Sequence, residues 1–154
     1  MSTASHETGE SDPASRIVNR QRTVPVKMSE LRRFAARLGR SLAGGREFAV
    51  AIDSDQAVRR ANRRFRGRDR VTDVLAFPDG GRRLGDILIA GPQARRQARR
   101  LGHPAGQEIQ VLALHGLLHL LGHDHERDRG QMRRLERRWR RRLGLPASLT
   151  ERET

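Results

Sequence analysis

The sequence predicts an α+β fold, in which a small mixed β-sheet of about four strands is covered by about five helices. Short apolar segments typical of strands alternate irregularly with longer segments whose apolar residues recur at helical spacing. This order disfavours a doubly wound parallel sheet. The chain of 154 residues is long enough for one domain with a real core and too short for two comfortable ones.

We expect the single domain to span residues 15–148. Residues 1–14 contain Ser, Thr, Gly and three acids but no large apolar residue besides Met1, which predicts a disordered N-terminal tail. Residues 149–154 are expected to form a short C-terminal tail.

The first elements are a strand at residues 17–19 and a helix with apolar residues at helical spacing. Ser29 is the predicted N-cap of this helix, and Gly44-Gly45 ends it. Residues 47–52 (EFAVAI) then predict a buried strand.

The next segment predicts a second helix and a hairpin. Ser54 or Asp55 can cap this helix, which runs through Phe65. The strands VLAF (74–77) and DILIA (86–90) are joined through a Pro-Asp-Gly-Gly turn, which predicts an antiparallel pair.

Three further helices complete the prediction. They comprise a polar helix at about residues 92–101, a much more apolar one at about 104–121 and a basic one at about 128–143.

Composition excludes several kinds of site. The chain has no Cys, so disulfides and thiolate ligands are excluded, and a metal must be held by nitrogen or oxygen atoms. No apolar run reaches ~18 residues, and the N-terminus lacks the pattern of an export signal. We therefore expect a cytoplasmic protein with no membrane partner.

The net charge of +14 favours a polyanion such as RNA as partner. Lys27 is the only lysine, however, and a GC-rich genome would also produce this bias toward Arg. Two helices carry broad arginine faces, at Arg59, Arg60, Arg63 and Arg64 and at Arg95, Arg96, Arg99 and Arg100. With four Phe, one Trp and no Tyr, base stacking is not expected to be a major source of affinity.

The segment HGLLHLLGHDH (115–125) carries the strongest chemical signal. Residues four apart share one helix face, so His115 and His119 can aim their imidazoles at one point. A helix end at Gly122 can turn the chain back and bring His123 or His125 to the same point. Spacing alone leaves both open as the third ligand. Three imidazoles around Zn²⁺ leave a fourth position for water, as in catalytic sites.

The spacing H-x-x-x-H-x-x-G-x-x-H is also that of metzincin proteases. Those enzymes place a Glu general base directly after the first His, where this chain has Gly116. Phosphodiester cleavage depends more on positioning and on stabilising charged oxygens. The missing Glu and the excess of Arg therefore disfavour a peptidase and favour a nuclease.

A second segment, NRRFRGRDRVTDVLAFP (62–78), places Arg66 between a helix end and the turn into a strand. A guanidinium there can contact a phosphate through two hydrogen bonds. Asp73 and Asp86 flank the hairpin strands, where they can shape the cleft or cap strand ends.

Together with LGDILI and the tail RGQMRRLERRWRRRLGL, these segments resemble the YbeY family of bacterial endoribonucleases and ribosomal RNA maturation factors. The similarity runs from about Glu47 to Leu145. It implies a zinc-dependent, single-strand-specific endoribonuclease that matures the 3′ end of 16S rRNA and acts in ribosome quality control. Partners would be ribosomal RNA, the small ribosomal subunit and its associated proteins.

The resemblance also implies residue roles. One zinc ion per chain would be held by His115, His119 and His125, and Arg66 would join these three as a catalytic residue. The chain departs from the family pattern at His123, where a Tyr is usual, and at Ala76, where a Ser is usual. The alternative is a non-enzymatic assembly factor that binds rRNA and in which zinc only fastens the helix end to the sheet.

Overall fold

A four-stranded sheet lies at the centre of the protein, in a computed structural model that describes residues 16–124 and 127–146. Its strands are β1 (Arg16–Asn19), β2 (Phe48–Asp53), β3 (Val74–Pro78) and β4 (Gly85–Ala90). In these ranges the helices are α1 (Met28–Ser41), α2 (Asp55–Arg66), α3 (Gly91–Leu101), α4 (Ala105–Leu120) and α5 (Gln131–Leu143). The predicted α+β fold is confirmed.

The sheet is mixed, with strand order β1-β2-β4-β3. Strands β1, β2 and β4 are parallel, whereas β3 is antiparallel to β4 with Ala76 opposite Ile87. The predicted hairpin is therefore confirmed. Because β3 is an edge strand, the connection that enters it from α2 lies at the rim of the sheet.

The two faces of the sheet are covered by different helices. Side chains alternate along a strand, and on one face Leu75 of β3 packs with Val58 of α2 and with Ala90. On the other face, Val74 and Ala76 pack against the main core, to which α1 and α4 contribute. The rim at β3 thus separates α2 from α4.

Helix α4 is the central helix of the fold, and every residue from Val111 to Leu118 is buried. A helix that is apolar on all sides needs partners on all sides, and α4 contacts α1, α3, α5 and the sheet. Gly116 allows the approach to β4, because a Cβ atom there would lie 2.7 Å from Cγ2 of Ile87.

The prediction that Ser29 caps α1 is wrong. The helix begins two residues earlier than this cap would give, at Met28, with Lys27 in the cap position and no side-chain cap. The carbonyl of Lys27 accepts a hydrogen bond from the backbone N–H of Leu31 at 3.1 Å. Ser29 therefore lies inside the first turn, where its hydroxyl is past the capping position.

Ser54, one of the two predicted caps of α2, is confirmed, because its Oγ accepts a hydrogen bond from Ala57 N at 3.1 Å. Helix α5 begins at Gln131, later than the predicted start near residue 128. Asp128 instead lies in the preceding loop, where its carboxylate accepts hydrogen bonds from the backbone N–H groups of Gly130 and Met132 at 2.8 and 2.9 Å.

The predicted tails, residues 1–14 and 149–154, lie outside the described residues, and the limits of the domain stay a prediction. Within residues 16–124 and 127–146, none of the helices combines the length and the apolar content needed to cross a bilayer.

Replacing Gly116 with Ala should destabilise the protein. The added methyl group would overpack against Ile87, at a penalty of about 1–3 kcal/mol, whereas the gain in helix propensity is at most about 1 kcal/mol. The free energy of unfolding, measured by urea denaturation, should fall.

Gly106 provides the matched control, because it lies in the same helix and a Cβ atom added there would meet no side chain or neighbouring segment of the described residues within 4 Å. Gly106→Ala should leave stability unchanged or raise it by up to about 1 kcal/mol. Equal effects of the two substitutions would contradict the packing argument.

Candidate active site

A cleft of about 430 Å³ opens between the C-terminal end of α4 and the edge strand β3. Two groups of side chains from distant parts of the sequence meet in it. The histidines are His115, His119 and His123, and the arginines are Arg66, Arg68 and Arg70. The cleft therefore unites the two segments that the sequence singles out.

His115 and His119 stand one helical turn apart on the face of α4 that borders the cleft. Their ring centroids are 4.8 Å apart, with the ring planes inclined at 70°. His115 is only 4% exposed and His119 is half-buried. The two imidazoles thus form a pair at the inner wall of the cleft.

Glu136, on α5, fixes the orientation of His115. Its Oε1 atom lies 2.5 Å from Nδ1 of His115, and the carboxylate is fully buried. With Glu136 ionised and His115 neutral, Nδ1 donates this hydrogen bond and Nε2 carries the lone pair. Carboxylates orient metal-binding imidazoles in the same way in zinc proteins.

Sequence reasoning missed Glu136, although a signal was present. It is the only acidic residue of α5, and it lies four residues after Met132 and four before Arg140. All three positions are buried, so they form the inner face of an otherwise arginine-rich helix. A lone acid on the inner face of a basic helix indicates a buried partner.

The end of α4 turns at Gly122, as predicted, with φ at +100°. The backbone N–H groups of Gly122 and His123 donate to the carbonyls of His119 and Leu118 at 3.0 and 3.1 Å, which is a Schellman motif. This turn places His123 and Asp124 at the cleft.

The third metal ligand stays a prediction. His125 lies outside the described residues. Within residues 16–124 and 127–146, no three His, Asp or Glu side chains come close enough together to hold a metal ion. His115 and His119 therefore provide two candidate ligands, and the choice of His125 over His123 comes from the family resemblance alone.

The arginines reach the cleft because α2 ends in a well-defined turn. Gly67 has a positive φ of 70°, and its N–H donates to the carbonyl of Arg63 at 3.0 Å. Asn62 is 2% exposed, and its Nδ2 donates to the carbonyl of Arg70 at 3.0 Å. This buried amide ties the connection to the helix and holds the arginines at the rim.

In the part of the chain that the structure describes, Arg66, Arg68 and Arg70 make no ion pair. Nearby Arg59 differs, because its Nε lies 2.8 Å from Asp69 and lowers the pKa of that carboxyl group. The cleft arginines are therefore available to bind an anion.

The two hairpin aspartates have different surroundings. Asp73 lines the cleft, and its Oδ2 accepts a hydrogen bond from the buried Gln97 at 3.1 Å. Asp86 is exposed and pairs with Arg83 at 2.8 Å, away from the cleft lining. Only Asp73 is thus placed to shape the site.

Residues 16–144 match the family model described as Endoribonuclease YbeY. A protein of that name from Solibacter usitatus is 50% identical over 142 residues, which cover 92% of this chain and 97% of the relative. The chain belongs to the YbeY endoribonuclease family. A YbeY protein from Koribacter versatilis is 44% identical over 142 residues, covering 90% of this chain and 91% of its own length.

A solved structure shares the YbeY fold described above. The solution structure of TM1509 from Thermotoga maritima is similar with a TM-score of 0.58 and 26% identity, over 80% of this chain and 85% of that one. Membership of the YbeY family confirms the predicted resemblance and supports endoribonuclease activity, and with it an RNA substrate.

Glu136→Gln should weaken the zinc binding that the sequence predicts at the His115–His119 pair. The substitution keeps the size of the side chain but removes the charge that orients the His115 ring, and loss of such partners typically lowers metal affinity by about 10- to 100-fold. Competition with a chromophoric chelator measures this change.

Glu108→Gln is the matched control. Glu108 is also fully buried and lies 2.6 Å from an imidazole nitrogen, that of His103, but at the opposite end of α4. The Glu108→Gln variant should bind zinc with nearly the affinity of the wild-type protein. Unchanged zinc affinity in Glu136→Gln would contradict the assigned role.

Proposed function

We propose that this YbeY protein is a zinc-dependent endoribonuclease that cleaves single-stranded RNA. We propose further that it matures the 3′ end of 16S rRNA and acts in ribosome quality control. The observation that carries this proposal is the cleft itself, where an imidazole pair, with His115 anchored by a buried carboxylate, faces three arginines that form no ion pair with any described residue.

The residues of the cleft suit a zinc ion. One zinc ion per chain would be held by His115, His119 and His125. Because Nδ1 of His115 is hydrogen-bonded to the carboxylate of Glu136, Nε2 is the atom that would bind the zinc. When bound, zinc would supply an activated water and a Lewis acid for a phosphoryl oxygen.

Arg66 would bind the phosphate at the scissile bond. Its guanidinium can make two parallel hydrogen bonds to phosphate oxygens and stabilise the negative charge that develops there. Arg68 and Arg70 would bind neighbouring phosphates. A cleft of about 430 Å³ has the size of small-molecule sites, so it fits a stretch of unpaired RNA rather than a duplex.

The cleft also explains why a peptidase is disfavoured. A Glu directly after the first histidine would occupy position 116, where even a Cβ atom approaches Ile87 to 2.7 Å. The general base of the metzincin mechanism therefore has no room beside His115 in this packing.

The overall charge favours a large RNA partner. A net charge of +14 and the exposed arginines of α2 and α3 suit contacts to ribosomal RNA on the small subunit. The small ribosomal subunit and its associated proteins are the proposed partners, and the cytoplasm is the proposed site of action.

Arg66→Ala should lower kcat for cleavage of a single-stranded RNA by about 100- to 1,000-fold, as does the loss of other groups that stabilise developing charge. Arg66→Lys should recover only part of the rate, because an ammonium group cannot make the bidentate contact. His119→Ala should abolish cleavage, since it removes a proposed zinc ligand. A gel assay with a labelled oligonucleotide measures all three.

Arg33→Ala, at an exposed arginine of α1 outside the cleft, is the control and should cleave at the wild-type rate. Equal cleavage by wild type and His119→Ala would indicate a contaminating nuclease and contradict the proposal. Tight RNA binding without any turnover by zinc-loaded wild type would favour the non-enzymatic assembly factor instead.

A further inference from the structure

Phe65 is the most exposed large apolar residue in the part of the chain that the structure describes, at 63%. It lies in the last turn of α2, on the same helix face as Val58 and Asn62, which are 0% and 2% exposed. The inner face of α2 therefore ends in a phenyl ring that the core does not cover.

The exposure follows from the position of Phe65 at the rim of the sheet. Its ring packs edge-on against Phe77 of the edge strand β3, with centroids 5.4 Å apart and an interplanar angle of 65°. Phe34 and Phe48 are buried and Phe77 is half-buried. An exposed phenyl ring forgoes the stabilisation that burial would give.

The surroundings of Phe65 indicate what it binds. The guanidinium of Arg64 lies 5.2 Å from the centroid of the Phe65 ring. Arg66, which directly follows Phe65 in the sequence, lines the cleft. Aromatic rings interleaved with cationic side chains are typical of surfaces that bind single-stranded nucleic acids. There the arginines hold the phosphates and the rings stack on the bases.

We propose that Phe65 is a stacking platform for a base of the RNA strand, next to the phosphate held by Arg66. This inference rests on the proposed function, because it assumes that the cleft binds single-stranded RNA. It revises the expectation from composition, since one well-placed ring can contribute stacking even in a chain that is poor in aromatics. Every base has a flat face, so Phe65 adds affinity without strict sequence preference.

The test compares RNA binding by Phe65 variants in a His119→Ala background, so that the RNA stays intact. Fluorescence anisotropy with a labelled single-stranded RNA gives the dissociation constant. Phe65→Leu keeps an apolar side chain but removes the aromatic face and should weaken binding by about 5- to 100-fold. Phe65→Trp should bind the RNA at least as tightly as the parent His119→Ala protein, which retains Phe65. Val18→Ala, at the exposed apolar residue of the opposite edge strand, should have no effect.

Two further measurements separate stacking from charge. With an RNA that carries abasic sites, the parent and Phe65→Leu should bind equally. The salt dependence of binding should be the same for both, whereas Arg66→Ala should reduce its slope.

The outcomes distinguish this inference from the proposed function. Equal affinity of the parent and Phe65→Leu for intact RNA would overturn the stacking role and leave the nuclease proposal standing. Failure of the zinc-loaded wild type to bind or cleave RNA would overturn the proposed function and this inference with it.

Discussion

Helix α4 must approach β4 so closely that no side chain fits at Gly116, and the placement of the imidazole pair depends on this contact. His115 precedes that glycine and His119 follows it by less than one turn, so the packing of the helix against Ile87 sets their depth in the cleft. The same contact leaves α4 buried along most of its length. A single close approach therefore fixes both the core and the inner wall of the site.

Burial of α4 brings a second requirement, because polar groups taken out of water need partners. Two histidine–glutamate pairs meet it, His115 with Glu136 near the cleft and His103 with Glu108 at the start of the helix. Both carboxylates are fully buried. The pairs have the same chemistry but different surroundings, and of the two only the first borders the cleft. Its proximity to the cleft, rather than the pairing itself, supports a role for Glu136 in the proposed active site.

The sheet, the hairpin and the apolar helix could be predicted from the sequence, because apolar periodicity and glycine turns are local signals. The prediction for Ser29 failed because several adjacent positions could start this helix. In the structure the extended backbone at Lys27 places that residue at the N-cap position. Glu136 was missed because its partner His115 lies 21 positions away in sequence, and the spacing of the buried positions in α5 indicates a buried partner without identifying it. Phe65 was interpreted only as part of a helix, since its exposure depends on where the sheet ends. His125 stays a prediction.

The dependence of His115 on Glu136 has a consequence for synthesis of the protein. The two residues are 21 positions apart, and α5 is the last helix to be translated in the part of the chain that the structure describes. A nascent chain that ends before α5 has no carboxylate to orient His115. The orientation of the His115 ring can therefore be fixed only after all four strands and helices α1 to α4 have been translated.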